Sequence, residues 1–385
     1  MNRSDQRSDE QSELSARVAA GCVLLLGALA VALAGAARNA PRAHEVGAAL
    51  AHGPTTVPGA TMRLTTLWEV GGGYLRTAAT CDLDDDGDEE LLLLDDGDMI
   101  TIFDAQGRYV RALQLRHGAR YLEVARGCRP PALIVADPYA PVGAYDGEGG
   151  LLWSYPLPIT QELTACTLAD LDDDGVEEII TAQLDMGLAC LDAYGRANWE
   201  LPLPGLIASL AAGDVDGDGR QEILACGHDT PVFVVSSAGH ELRRWDIWAS
   251  ACHVAAADLD GNGTAEVAVK TAAFDRPEEA FVAGVDSAGQ LAWRQPVPDL
   301  VRSVARPLTA VDINGDGRRE WAAVGSDASL HFIGGNGELL GVHTVEEPLI
   351  GVYPMRTKAA VGERLVAVSA TSATCLEWTR GGDRG

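Results

Sequence analysis

The chain repeats one acidic segment five times, at a spacing that limits what it can fold into. The segments are CDLDDDGDEELLLL from Cys81, ADLDDDGVEEIITA from Ala169, GDVDGDGRQEILAC from Gly213, ADLDGNGTAEVAVK from Ala257 and VDINGDGRREWAAV from Val311. Their first loop aspartates are separated by 88, 44, 44 and 54 residues. Because 88 is twice 44, a degenerate unit is expected near residue 126, and the last interval reads as one unit with a ten-residue insertion. Such a period is typical of a repeat architecture.

A second marker confirms the period and runs out of phase with the first. Turns of the type FDAQG, YDGEG and LDAYG end in glycine, and Trp often stands four residues later, as in YDGEGGLLW and LDAYGRANW. The glycines are Gly107, Gly149, Gly195, Gly239, Gly289 and Gly337. Glycine supplies the positive φ of a hairpin turn. Each unit is therefore predicted as strand, acidic loop, strand, short turn, strand, Asp/Gly turn and strand, which is a propeller blade.

Counting units predicts seven blades. Five carry acidic loops, one is degenerate near residue 126, and one is degenerate at about 358–370. The last segment, TCLEWTRGG, resembles the third strand LACLDAYG. Its fourth strand is therefore predicted to come from the first segment, where Trp68 mirrors Trp199. That pairing removes an open sheet edge. The predicted fold is all-β: a seven-bladed β-propeller of four-stranded blades over residues 61–385, preceded by one N-terminal transmembrane (signal-anchor) helix.

The acidic loops have the chemistry of metal sites. Side-chain oxygens fall at loop positions 1, 3, 5 and 9, glycine stands at position 6, and position 7 can add its carbonyl. The predicted ligands are Asp82, Asp84, Asp86, Asp88 and Glu90; Asp170, Asp172, Asp174, Val176 and Glu178; Asp214, Asp216, Asp218, Arg220 and Glu222; Asp258, Asp260, Asn262, Thr264 and Glu266; and Asp312, Asn314, Asp316, Arg318 and Glu320. Hard oxygen ligands in this number favour Ca²⁺ over Zn²⁺ or Mg²⁺, with up to five ions. Loops four and five have three carboxylates each and are expected to bind more weakly.

An EF-hand begins in the same way but is excluded here. That loop needs an apolar residue at position 8 and Glu at position 12, between two helices. Position 12 is held by Leu93, Thr181, Ala225, Val269 and Ala323. The β-type runs that follow, such as EEIITA, place each loop between two strands of one blade.

With five copies of DxDxDGxxE or its Asn variants, the chain resembles the FG-GAP and VCBS repeat family, the calcium-loop propellers of integrin alpha heads and many bacterial surface proteins. The resemblance covers about residues 61–380. It implies a seven-bladed propeller with Ca²⁺ on its lower rim, supporting ligand-binding loops on the other side. The chain departs from the family in two respects. Position 9 is Glu where integrin loops usually have Asp, and the FG and GAP sequence signatures are no longer recognisable. The Asp/Gly/Trp turns also resemble those of quinoprotein propellers.

The amino-terminal part predicts a membrane anchor. Residues 18–37 are uncharged and long enough to span a bilayer, between Arg17 and Arg38. The expected order is a cytoplasmic tail at 1–16, a transmembrane helix or signal-anchor at 17–38 and a linker at 39–60, with cleavage of the segment as the alternative. Weak calcium sites fill only where Ca²⁺ is abundant, so the propeller is expected outside the cytoplasm, in the periplasm or at the cell surface. It would be secreted if the segment is cleaved.

Net charge and the absence of known catalytic motifs limit the classes of function that the sequence allows. A net charge of -27 excludes a general nucleic-acid binder, and no GxSxG, HExxH, P-loop or dinucleotide motif is present. The sequence favours a ligand-binding or adhesion module for a protein or carbohydrate. The alternative is a propeller enzyme, either a polysaccharide lyase or a quinone-dependent dehydrogenase. The ligand is expected on the upper face, opposite the acidic loops, whose candidate residues are Tyr74, Arg76, Arg116, His117, Arg120, Tyr121, Glu162, Trp248, His253, Asp299, Arg302 and Tyr353.

Overall fold

A computed structural model describes residues 62–380, except 116–117, 129, 158–161, 185, 248–250, 273–278 and 300–304. The described residues form seven antiparallel sheets of four strands, which confirms the predicted seven-bladed β-propeller. The predicted tail at 1–16, transmembrane helix at 17–38 and linker at 39–60 lie outside the described residues. Within the described ranges, no helix combines the length and apolarity needed to cross a bilayer.

The strands follow the chain in blade order. Blades 1 to 3 contain β2 (Leu75–Cys81), β3 (Glu90–Asp95), β4 (Met99–Phe103) and β5 (Tyr109–Gln114); β6 (Tyr121–Ala125), β7 (Ala132–Asp137), β8 (Ala140–Tyr145) and β9 (Leu151–Tyr155); and β10 (Leu163–Ala169), β11 (Glu178–Gln183), β12 (Gly187–Leu191) and β13 (Ala197–Leu201). Blades 4 to 6 contain β14 (Leu206–Gly213), β15 (Glu222–His228), β16 (Val232–Val235) and β17 (Glu241–Trp245); β18 (Ala251–Ala257), β19 (Glu266–Thr271), β20 (Phe281–Val285) and β21 (Leu291–Pro296); and β22 (Leu308–Val311), β23 (Glu320–Val324), β24 (Ser329–Ile333) and β25 (Leu339–Thr344). Blade 7 contains β26 (Leu349–Met355), β27 (Arg364–Ser369), β28 (Ser372–Arg380) and β1 (Met62–Gly71).

Both ends of the described chain meet in blade 7, as predicted. Strand β1 is the outermost strand of that blade and pairs with β28. Trp68 lies opposite Cys375, and Trp199 lies opposite Cys190 in blade 3, so the two pairs occupy equivalent positions. The first strand of the propeller thus completes the last blade.

The hydrophobic core is divided into seven clusters, each between two adjacent blades. The second strand of every blade is buried along nearly its whole length because it is covered on both sides by neighbouring blades. This explains the continuous apolar runs such as LLLL and IVA after each loop. The outermost strands of blades 1 to 5 are largely exposed.

At five of the seven junctions between blades, a tryptophan on the outer strand packs against the turn of the next blade. The indole Nε1 of Trp153 donates to the carbonyl of Ala193 at 2.7 Å. A Cβ on Gly195, which has a φ of 76°, would lie 2.4 Å from this ring. The same contact recurs in the pairs Trp68 with Gly107, Trp199 with Gly239, Trp245 with Gly289 and Trp293 with Gly337. The Asp/Gly/Trp marker is therefore an inter-blade packing device.

Candidate metal loops and the axial cavity

The five acidic loops lie on one face of the propeller, called here the lower face. Each joins the inner strand of a blade to its second strand, as predicted from the runs that follow the loops. The opposite, upper face carries the connections between blades and the turns from second to third strands.

Each loop is fixed to the core through positions 2 and 9. The position 2 side chain is apolar and packs between blades; Leu171, Val215 and Leu259 are buried examples. Its backbone N–H donates to Oε2 of the position 9 glutamate in all five loops, at 2.8 to 3.3 Å. One glutamate oxygen is therefore used by the backbone.

The position 1 aspartate and the position 6 glycine close the turn. The glycine N–H donates to Oδ2 of the aspartate at 2.7 to 3.1 Å in every loop. All five glycines have φ between 84° and 89°, a region that side chains with a Cβ rarely adopt. Position 4 is also left-handed, and there Asp85 and Asp173 stand in the first two loops where the other three have glycine.

Four loops bring three carboxylates together, with their ligand oxygens within 4.8 Å of one another. The groups are Asp82, Asp84 and Asp86; Asp170, Asp172 and Glu178; Asp214, Asp216 and Asp218; and Asp258, Asp260 and Glu266. Loop five differs because the Asn314 amide donates to Oε1 of Glu320 at 2.9 Å. The oxygen sets of loops one to four fit a hard divalent cation. Loop five fits one less well.

Packing these acids together disfavours their charge. Burial, followed by the neighbouring loop aspartates, raises the pKa of Glu90 and Glu222 to about 7 and that of Glu320 to about 8. The same causes raise the pKa of Glu178. A nearby cation would favour the charged form of each group.

The two degenerate loops carry arginine where the others carry their first aspartate. Arg126 lies 44 residues after Asp82, and Arg356 lies 44 residues after Asp312. Each directly follows its inner strand, as the aspartates do. The repeat period alone points to both positions, although the acidic pattern does not.

Loops of neighbouring blades are joined by hydrogen bonds through position 8. The Glu89 N–H donates to the Arg356 carbonyl at 2.9 Å, and its Oε2 accepts the Arg356 N–H at 2.8 Å. Glu363 makes the same two bonds with Asp312, at 2.7 and 3.0 Å. The N–H groups of Ala265 and Arg319 reach the preceding loops at 2.6 and 2.8 Å. The loops of blades 4 to 7 and of blade 1 are therefore connected in series.

Some of the residues predicted for the upper face lie together around the propeller axis. Arg76, Arg120, Tyr121, His253, Asp299 and Tyr353 line one axial cavity of about 450 Å³. Tyr74 is exposed at the rim, and Glu162 accepts a hydrogen bond from the Tyr139 hydroxyl at 3.1 Å. Arg116, His117, Trp248 and Arg302 lie outside the described residues. None of the described tryptophans lines this cavity.

Comparisons with known proteins identify the fold. No protein-family model matches the sequence, and no curated protein matches it. Two solved structures of BBS1N in complex with ARL6DN, one crystal soaked with lead and the other with mercury, are similar, each with a TM-score of 0.66. They are 14% and 16% identical, cover 84% and 83% of this chain, and are themselves covered to 99% and 98%.

Proposed function

We propose that this chain is a calcium-stabilised propeller of the FG-GAP/VCBS type that binds a protein or carbohydrate outside the cytoplasm, anchored through residues 17–38. The observation that carries this proposal is the recurrence of one loop geometry on the lower face. Four of the loops collect three carboxylates in a space that suits one ion.

Calcium would be held by chain oxygens that the fold has already gathered. In loop one, Asp82, Asp84 and Asp86 would supply carboxylates, and the carbonyl of Asp88 would add a further oxygen. The ion would offset the mutual repulsion of these acids and so stabilise the folded loop. Because the loops are hydrogen-bonded to one another, this stabilisation would reach the neighbouring blades.

A binding role is supported by the upper face. Tyr74, Tyr139 and Met186 are exposed by 49%, 68% and 45%, and the exposed Arg120 directly precedes β6. Aromatic residues, Met and Arg are the residues enriched in protein interfaces. The similar BBS1N propeller is itself in complex with another protein, ARL6DN.

A thermal melt of the full chain in detergent tests the calcium part. We expect replacement of Ca²⁺ by EGTA to lower the melting temperature by several degrees, since ligand binding to the native state alone stabilises it. A triple variant, Asp82→Asn, Asp170→Asn and Asp214→Asn, should respond much less. Identical wild-type melts in Ca²⁺ and EGTA would contradict the proposal, and restoration by Mg²⁺ to the same degree would contradict the choice of ion.

A further inference from the structure

The axial cavity is large enough for a small ligand. Inner strands of all seven blades line it, and many of the lining side chains are small, including Ala165, Ala208, Ala212 and Ala256. These short side chains leave a volume of about 450 Å³, within the usual range of ligand sites.

Charge in this cavity opposes that of the whole molecule. The chain has 56 acidic and 29 basic residues, yet the described lining holds three arginines and two carboxylates. Both carboxylates are already paired: Glu123 with Arg306, and Asp299 with the fully buried Lys270. Arg76 is also paired, with Asp98 at 3.3 Å. Arg120 is exposed, and its side chain forms no ion pair with the described residues. The cavity can therefore attract an anion that the outer surface repels.

The Arg306 guanidinium is held in place across the cavity. It donates to Glu123 of blade 2 at 2.8 Å, although Arg306 itself precedes blade 6. Its central carbon lies 5.4 Å from the ring centre of Tyr353, whose hydroxyl contacts Thr77 at 3.0 Å and accepts the Ala78 N–H at 3.1 Å. The Arg306 side chain is still 37% exposed. Because a guanidinium has five N–H donors, others are available to a ligand.

Neutral polar groups of blades 4 and 5 also line the cavity. The Ser209 hydroxyl accepts the Val254 N–H at 3.1 Å, which leaves its own proton free to donate. His253 also lines the cavity; burial, then the nearby Lys270 and His228 charges, lower its pKa to about 3, so the ring is neutral at pH 7. A neutral imidazole can both donate and accept a hydrogen bond.

We propose that this cavity binds a small hydroxylated carboxylate, with the carboxylate on Arg306 and Arg120 and the hydroxyl groups on Ser209 and His253. This inference rests on the proposed binding role but not on calcium. The Glu123 carboxylate competes with the ligand for Arg306.

Isothermal titration of the full chain with D-glucuronate tests the site, with D-glucose as the neutral analogue and inorganic phosphate as a second anion. We expect saturable binding of glucuronate and none of glucose. Arg120→Ala should weaken binding roughly tenfold or more, since a hydrogen bond to a charged group contributes about 1.5–3 kcal/mol. Glu123→Gln should tighten binding, and Arg196→Ala, an exposed arginine in an outer turn, should leave it unchanged.

Several results would overturn the assignment. These are no saturable heat with glucuronate, equal binding of glucose, phosphate binding without glucuronate binding, or no effect of Arg120→Ala. A calcium-dependent melt combined with any of them would remove this site while leaving the calcium proposal intact. Arg120→Ala and Glu123→Gln keep the test valid even if Arg306 variants fail to fold.

Discussion

The contacts between outer-strand tryptophans and the next blade require glycine for two reasons, the positive φ of the turn and the space that a Cβ would occupy. Gly195 needs both a positive φ and the absence of a Cβ against Trp153. Gly149 occupies the equivalent turn of blade 2 with φ of 83°, but there a Cβ would only reach ordinary contact distance, 3.7 Å from Leu113. Comparing the two glycines therefore distinguishes the cost of backbone strain from the cost of a steric clash.

We expect Gly195→Ala to lower the free energy of unfolding by about 3 kcal/mol, combining left-handed strain with overpacking against the indole. Gly149→Ala should cost about 1 kcal/mol, from strain alone. Denaturant unfolding of both variants measures the difference. Equal losses would show that the tryptophan ring yields to the added methyl group.

His253 makes stability depend on pH. Burial, Lys270 and His228 lower its pKa from 6.5 to about 3, so the unfolded chain binds a proton more readily. Its contribution is present above pH 6.5 and is lost as pH falls toward 3. Between pH 6 and 4 the wild type should lose up to about 1.4 kcal/mol per pH unit more than His253→Asn. Parallel unfolding curves of the two proteins in EGTA would contradict this.

At the scale of elements, each acidic loop combines two functions that the sequence alone does not separate. The position 2 residue and one oxygen of the position 9 glutamate anchor the loop to the core. The candidate ligands that face one another are positions 1, 3 and 5 in loops one and three, and positions 1, 3 and 9 in loops two and four. In loop five, Asn314 at position 3 changes this balance by donating to the glutamate.

Exchange of the position 3 residues should therefore change the number of bound ions. Asn314→Asp gives loop five a third aspartate at positions 1, 3 and 5, and we expect its Ca²⁺ affinity to rise about tenfold, because affinity follows ligand charge. The reciprocal Asp216→Asn should weaken loop three. Native mass spectrometry across a Ca²⁺ titration counts the ions. Unchanged counts for both variants would argue against calcium in these loops.

At the scale of the whole molecule, the ring is closed by strand pairing. Strand β1 covers the edge of β28, and the Trp68 Nε1 donates to the Ala105 carbonyl of blade 1 at 3.1 Å. The closure thus joins blade 7 to blade 1 as well as completing blade 7. The Arg306–Glu123 pair adds a contact between blades 6 and 2 across the axis.

Removing residues 1–71 should therefore open the ring. The exposed β28 edge invites pairing with other chains, so we expect soluble aggregates and loss of a cooperative melt. Removal of residues 1–61, which keeps β1, should leave a monomer with a cooperative transition. Size-exclusion chromatography with thermal melting compares the two. A monomeric 72–385 protein with an unchanged melt would contradict this role of β1.

The sequence by itself determined the blade number, the strand order within a blade, the loop faces and the pairing of the two ends. It could do so because these follow from a local period that every unit repeats. The repeat period also locates position 1 of the two degenerate loops, but it does not explain why arginine replaces aspartate there. Local repetition cannot report what differs from one unit to the next.

Tertiary structure decided the contacts between units. It placed the tryptophans of the outer strands against the turns of the next blades and joined the loops through position 8. It also brought Arg306 of one side against Glu123 of the other, 183 residues apart in sequence. Inward-facing residues of all seven blades meet only when the ring closes, so their shared cavity and its positive charge have no local signature. The acidic excess is a property of composition, whereas the basic axial cavity is a property of the closed fold.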